Sequence, residues 1–297
     1  MRKLRIGIEA QRIYREKKHG MDIYALQLVQ HLQQVDHHNE YFVFVKPGKD
    51  ICLDETNNFR IIEVGGLSYL DWEQLWLPLA ASRYKLDILH CTSNTAPLLS
   101  PASTFITLHD IIYLNKSFAG GSWYQRLGHH YRRWIVPSAF RNAQQVITVS
   151  EFEKGTIIRH FGHTNKLHVT YNGEDKRFQK TTDSQILEEV RNRLKLPEAY
   201  MFFLGNTAPK KNMLNVLRGY ALYCRRDTDS LPLVVAESSE AELDKMLQKH
   251  GLTEIRKNIH LSGYVAHDTL PALYQLAKLF LYPSLRESFG IPIIEAM

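Results

Sequence analysis

Cysteine is scarce in this chain: Cys52, Cys91 and Cys224 are the whole supply in 297 residues. They stand far apart, odd in number and in apolar or helical contexts. That argues against a disulfide framework or a metal site and for a reducing compartment. No apolar run reaches the roughly 18 residues of a membrane-spanning helix. The opening MRKLRIGIEA has basic residues but no long apolar segment, so it reads as a first β-strand and not a signal peptide. A compact lysine–arginine block and zinc-ligand spacing are both missing, which disfavours nucleic acid as a partner. Internal repeats and low-complexity tracts are missing too. The expected place is the cytosol, with peripheral contact at the inner membrane face.

What is present is an ordinary globular composition, 44% apolar and 23% charged, on a chain long enough for two domains. With 37 basic and 31 acidic residues the net charge is +6. With nucleic acid set aside, that sign fits an anionic substrate or an anionic membrane surface.

Short apolar runs alternate with helical patterns. Strands are expected at 4–8, 41–45, 60–64, 87–90, 104–108, 145–149 and 167–170, and helices at 21–34, 72–84, 122–142 and 150–161. The helix over 122–142 should be broken or bent at Pro137. A second cycle places strands at 200–204, 231–236, 258–260 and 278–282, and helices at 184–194, 212–226, 240–250 and 270–277. This alternation predicts α/β domains with a largely parallel sheet. The Asn172-Gly173 turn and the polar EDKRFQKTTDSQ behind it set the boundary, giving domains over 1–173 and 174–297.

Near the end stands PSLRESFGIPIIE, with Glu287 and Glu295 separated by seven residues. Lys278 to Tyr282 reads as a buried strand that Pro283 stops. Gly290 permits a close backbone approach, and Pro292 suits the first turn of a new helix. A helix start offers free N–H groups to an anion, so the turn at Phe289, Gly290 and Ile291 could hold a diphosphate. The loop acid Glu287 and the helix acid Glu295 would flank it. Upstream, LGNTAPKKN is a strand, a turn and a helix start carrying Lys210 and Lys211. Cations at a helix start cost the fold about 0.3–1 kcal/mol, which fits a phosphate site. In the first half, TFITLHD is a strand ending in His109, and ligands of open α/β sheets collect at carboxyl ends of strands.

Residues 261–297, with Glu-x7-Glu set among Pro-Ser, Phe-Gly-Ile-Pro and Glu-Ala-Met, resemble the donor-site core of the retaining GT-B glycosyltransferases of family 4. The resemblance implies the GT-B architecture, two Rossmann-like domains facing a cleft. The N-terminal one would take the acceptor, and the C-terminal one would bind the nucleotide-sugar. Because the family is expected to continue past residue 297, the second domain is expected to be incomplete, which puts activity in question. The resemblance further implies that Lys211, with Lys210 and Gly205, contacts the donor diphosphate. Glu287 would position sugar hydroxyls with amides near Phe289 and Gly290, and Glu295 would take the ribose diol. His109 would reach the sugar. Gly20 would bring the first loop to the diphosphate. Many members carry arginine where this chain has Asn206, and Lys210 would compensate as a point charge without the arginine fork. No metal and no cofactor is implied; Asp227-Thr228-Asp229 reads as a surface turn.

The implied activity is transfer of a hexose with retention onto a glycan or lipid-linked acceptor in bacterial surface polysaccharide synthesis. The stretch His90 to Pro97 is similar to that of mannosyltransferases and tilts the donor toward GDP-mannose. The basic, aromatic helix of Trp123, Leu127, Tyr131, Trp134 and Ile135 either touches an anionic membrane or packs its stripe into the core. A silent nucleotide-sugar-binding subunit, a sugar-nucleotide epimerase and a phosphorylase stay open beside transfer.

Overall fold

The computed structural model describes residues 2–114, 123–205 and 207–297. The chain divides into two compact units, Met1–Asn172 and Gly173–Met297. Unit 1 begins β1 (Arg5–Glu9), α1 (Gly20–Val35), β2 (Glu40–Val45) and β3 (Phe59–Glu63). A composite helix follows: α2 (Tyr69–Asp71), a π-helical turn (Trp72–Trp76) and α3 (Leu77–Arg83). Then come β4 (Ile88–Cys91), β5 (Ser103–Thr107), α4 (Trp123–Asn142), β6 (Gln145–Thr148), α5 (Glu151–Phe161) and β7 (Leu167–Val169). Its seven strands run parallel in the order β3-β2-β1-β4-β5-β6-β7.

Both faces of this sheet are covered, so its strands are apolar on both sides. On β2 the two-residue period sorts them: Phe42 and Phe44 join the core under α3 and α4, while Tyr41, Val43 and Val45 pack with Ala25, Leu26 and Val29 of α1. Ser150 caps α5 by accepting from Glu153 N, as its position after β6 predicts.

The composite helix starts three residues earlier than its apolar pattern predicts, because Ser68 and Asp71 form a reciprocal capping box. Its ladder then widens. Pro78 has no N–H to give, and Leu77 N donates five residues back to Trp72 O. The expected break at Pro137 does not occur: α4 runs through it, held by the buried Ile135, Val136, Ala139 and Phe140. The predicted stripe does not hold together either. Ile135 is buried and Tyr131 half-buried, but Trp134 is 66% exposed. Adjacent residues point about 100° apart on a helix, so Trp134 and Ile135 cannot share one face.

Unit 2 contains α6 (Ser184–Leu194), β8 (Met201–Leu204), α7 (Met213–Arg226), β9 (Leu233–Ala236), α8 (Glu240–His250), β10 (Ile259–Gly263), α9 (Leu270–Leu276), β11 (Leu279–Leu281) and α10 (Ile291–Ala296). Its parallel sheet has the order β10-β9-β8-β11. Strand alternation again splits the core: Met201 and Phe203 pack on α7, Tyr200 and Phe202 on α9. Leu217 is fully buried in the first of these clusters. Leu217→Ala is expected to cost about 2–5 kcal/mol, read as a lower urea midpoint at unchanged m-value.

Candidate functional site

In unit 2 the chain order reverses between β8 and β11: β9 and β10 lie on one side of β8, β11 on the other. Such a switch point opens a crevice at the carboxyl ends of the strands. The loops after β8 and β11 both arrive there. Gly205 follows β8 directly, and a Cβ on it would stand 2.7 Å from the Phe203 ring, so any other residue would have to push that ring aside. Pro209–Lys211 form a 3-10 turn, and Asn212 turns left-handed (φ 61°) before α7 begins. The lysines therefore stand on a turn just ahead of the helix, as the expected helix start at 212 implies.

The two loops are stitched together. Leu285 N donates to Lys210 O at 2.8 Å, and Asn212 Nδ2 donates to Pro283 O at 3.0 Å. Lys211 Nζ donates to Glu287 Oε1 at 2.9 Å, each side chain 21% exposed. The same ammonium lies 5.4 Å from the centre of the Tyr282 ring, within cation–π range. Burial pushes the Glu287 carboxyl up. The Lys211 hydrogen bond and charge, helped by Ser284 and Lys210, outweigh it and leave Glu287 below the usual carboxylate range. A lysine carries three donors, so the pair leaves two for an anion. Gly290 follows at φ 89°, a left-handed conformation that favours glycine, and caps α10 without a side-chain bond. Phe289 and Ile291 flank it, both half-buried.

Glu295 sits on α10 with only 7% of its side chain exposed. Tyr274 Oη donates to its Oε2 at 3.2 Å, and His267 Nε2 lies 3.6 Å from Oε1. Burial first, then Glu287 and more distantly Glu295, raise the Tyr282 phenol, whose buried hydroxyl has no hydrogen-bond partner among the described residues. Buried polar groups are normally paired. Ser238, just past β9, and Ser262, on β10, bury hydroxyls that have no partner among the described residues. Glu237 beside them adopts a positive φ of 62°.

In unit 1, His109 lies just past β5 and is buried. Its Nε2 is 2.8 Å from Thr92 O, and its backbone N–H donates to Asn94 Oδ1 at 2.6 Å. Asn94 takes the left-handed φ of 70° to do so. Tyr24, one turn into the helix that Gly20 opens, meets the imidazole edge-on at 4.7 Å. Burial lowers the His109 pKa, only partly offset by Thr92 and Asp110. The ring is therefore neutral, with Nε2–H donating to the carbonyl. A Cβ on Gly20 would meet nothing within 4 Å.

The fold thus joins Lys210, Lys211, Glu287 and Gly205 at one crevice, with Phe289, Gly290, Ile291 and Glu295 on the loop and helix that continue it. His109 and Gly20 are neighbours within unit 1 through Tyr24. Asn206 lies outside the described residues, as do Ser122 and the side chains of Trp123, Arg126 and Leu127. Sequence reasoning missed Tyr274, Tyr282 and His267. It also missed a buried polar set in unit 1. Arg12 Nε stands 3.0 Å from Asp22 Oδ1. Glu9 accepts from Thr92 N and Gln11 N. Glu73 accepts from Tyr131 Oη at 2.6 Å and is pushed up by burial to about 7. The available signal was position alone: Glu9 ends the first strand, and Tyr282 directly precedes Pro283.

Residues 185–297 match the family profile described as glycosyl transferases group 1, and residues 19–177 that of Glycosyltransferase Family 4. The chain is 27% identical to O-antigen chain mannosyltransferase B of Escherichia coli over 64% of its own length and 49% of that protein. It is 27% identical to the O-antigen chain mannosyltransferase RfbU of Salmonella typhimurium over 70% of its length and 53% of that protein. The chain thus spans about half the length of these curated relatives. Among solved structures it superposes on WaaG, a glycosyltransferase involved in lipopolysaccharide biosynthesis, with a TM-score of 0.70 at 14% identity, covering 98% of this chain and 78% of that one. The architecture is the GT-B fold.

A depressed carboxyl pKa stabilises the fold above its ordinary value of 4.5, and that stability is lost as pH falls through the folded value. Glu287→Gln is expected to lower the melting temperature at neutral pH by an amount worth about 1 kcal/mol. Wild type and variant should converge as pH falls through the depressed folded-state value, measured by thermal melts across the range.

Proposed function

The chain belongs to Glycosyltransferase Family 4, and on that premise we propose that it moves a hexose from a nucleoside-diphosphate sugar to a growing glycan or lipid-linked acceptor. The Lys211–Glu287 pair at the β8/β11 switch point carries this reading. A diphosphate needs fixed positive charge, and Lys210 and Lys211 supply it from one rigid turn. The sugar needs an acceptor for its hydroxyls, and Glu287, held ionised, supplies that. Glu295 is the candidate for the ribose diol. His109, neutral with its Nε2–H on Thr92 O, could accept one hydrogen bond from a sugar hydroxyl at Nδ1 without adding charge.

The proposed reaction retains the anomeric configuration. The acceptor oxygen bonds to C1 on the face from which the diphosphate leaves. The C1–O bond breaks, and the leaving phosphate oxygen takes the acceptor proton. The lysines stabilise charge as it develops on the diphosphate, so the reading calls on no metal. The names of the relatives favour mannose, and GDP-mannose is the proposed donor. Surface polysaccharide synthesis is the proposed setting.

Among the described residues no helix is long and apolar enough to cross a membrane. Peripheral contact with an anionic membrane face is part of the proposed setting, with the exposed Trp134 on α4 as the candidate anchor.

The test is radiolabelled transfer from GDP-mannose to a mannosyl primer, with the product anomer read by NMR. Lys211→Ala and Glu287→Ala are each expected to lower kcat by about a hundredfold. Turnover unchanged in both would overturn the assignment. GDP binding without transfer to any primer would favour a silent nucleotide-sugar-binding subunit.

A further inference from the structure

Unit 1 has a cavity none of whose lining residues is among the donor-site candidates. It is formed by the loops that follow β1 and β2, two neighbouring parallel strands, and its volume is about 460 Å³. Arg15, Lys17, Lys46 and Lys49 line it, against the single carboxylate of Glu16. The formal net charge of the whole chain is +6, so four cations and one carboxylate put half of that excess around one cavity.

The loops are built to keep this shape. Lys46 N donates to Gln11 O and Asp50 N to Tyr14 O, both at 3.2 Å. Lys18 Nζ donates to Arg15 O at 3.2 Å and pairs with Asp50. Gly48 crosses so close to the first loop that a Cβ on it would stand 2.2 Å from Tyr14 O. No other residue permits that approach. Glu16 does little to neutralise the cations: its carboxylate is 3.8 Å from Lys49 Nζ, and both side chains are mostly exposed, where water screens the pair.

Clustered like charges oppose folding and focus the field in a concavity on an anion. The position, outside the carboxyl ends of parallel strands, is where open α/β sheets take ligands. The volume is that of a small-molecule site. We propose that this cavity binds a phosphate or diphosphate group of the acceptor, on residues of unit 1 alone. For the identity of the anion as acceptor the inference rests on the function proposed above; the anion site itself does not.

Calorimetry of inorganic pyrophosphate with the full chain tests it, comparing wild type, Lys46→Ala/Lys49→Ala and Lys211→Ala, each also titrated with GDP. The double variant should bind pyrophosphate at least about tenfold more weakly, with GDP affinity and melting temperature unchanged. Lys211→Ala should lose GDP yet keep a pyrophosphate site sensitive to Lys46 and Lys49. Equal pyrophosphate affinity in wild type and the double variant would overturn the proposal, as would loss of all pyrophosphate binding in Lys211→Ala. Co-sedimentation with phosphatidylcholine vesicles carrying either polyprenyl diphosphate or phosphatidylglycerol separates the sources. Capture by the first alone, lost in the double variant, assigns a lipid-linked diphosphate. Binding of soluble pyrophosphate without vesicle capture assigns a soluble phosphorylated glycan. Loss of GDP binding in wild type, with the lysine-dependent pyrophosphate site intact, would sink the donor reading and leave this site standing.

Discussion

One ion pair organises the crevice of unit 2. Lys211 and Glu287 belong to loops 76 residues apart in sequence, and each loop follows a strand on opposite sides of the chain reversal. Their mutual attraction, at 21% exposure on each side, is stronger than at a free surface and weaker than in a dry core. The two backbone-anchored bonds beside it, Leu285 to Lys210 and Asn212 to Pro283, hold the loops in register. Without that frame the cations of one loop and the carboxylate of the other would be separate surface charges. With it, they form a preorganised polar site, and the ordering entropy is met in folding and not in binding.

Unit 1 reaches preorganisation by a different route. Several of its buried polar groups hold one another: His109 with Thr92 and Asn94, Glu9 with Thr92, Glu73 with Tyr131. Burial also fixes protonation. His90 is pushed down to about 4, by burial and then by His109 nearby, so both histidines of this cluster stay neutral. Such a network is costly if half-made and rigid when complete. The π-helical turn that places Glu73 belongs to it, and it arises from the same Pro78 that would otherwise only interrupt a helix. The cationic cavity after β1 and β2 is the contrary case, an exposed set of like charges that the loops hold together.

Much of this protein was legible from its residues in order. Strands and helices followed apolar spacing, because period 2 and period 3.6 are local consequences of backbone geometry. Ser150 as a cap was likewise local, whereas Gly290, expected for a close backbone approach, is used for its left-handed φ of 89° with ordinary space around it. The Glu287–Glu295 setting, with Pro283 before and Pro292 after, pointed to a strand–turn–helix crevice for the same reason.

What residue order alone could not supply is who faces whom. Nothing local says that Lys211 pairs with Glu287, that Tyr274 and His267 hold Glu295, or that Trp134 leaves the stripe Ile135 occupies. Those outcomes depend on strand order and on which helix face the sheet claims. Tertiary packing also overrode a local signal: α4 continued through Pro137, with Ile135, Val136, Ala139 and Phe140 buried around it. The chain's own chemistry determined the elements and the kinds of groups at their ends. Only the assembled sheets decided which of those groups meet, because contact across 76 or 85 residues is set by topology and not by propensity.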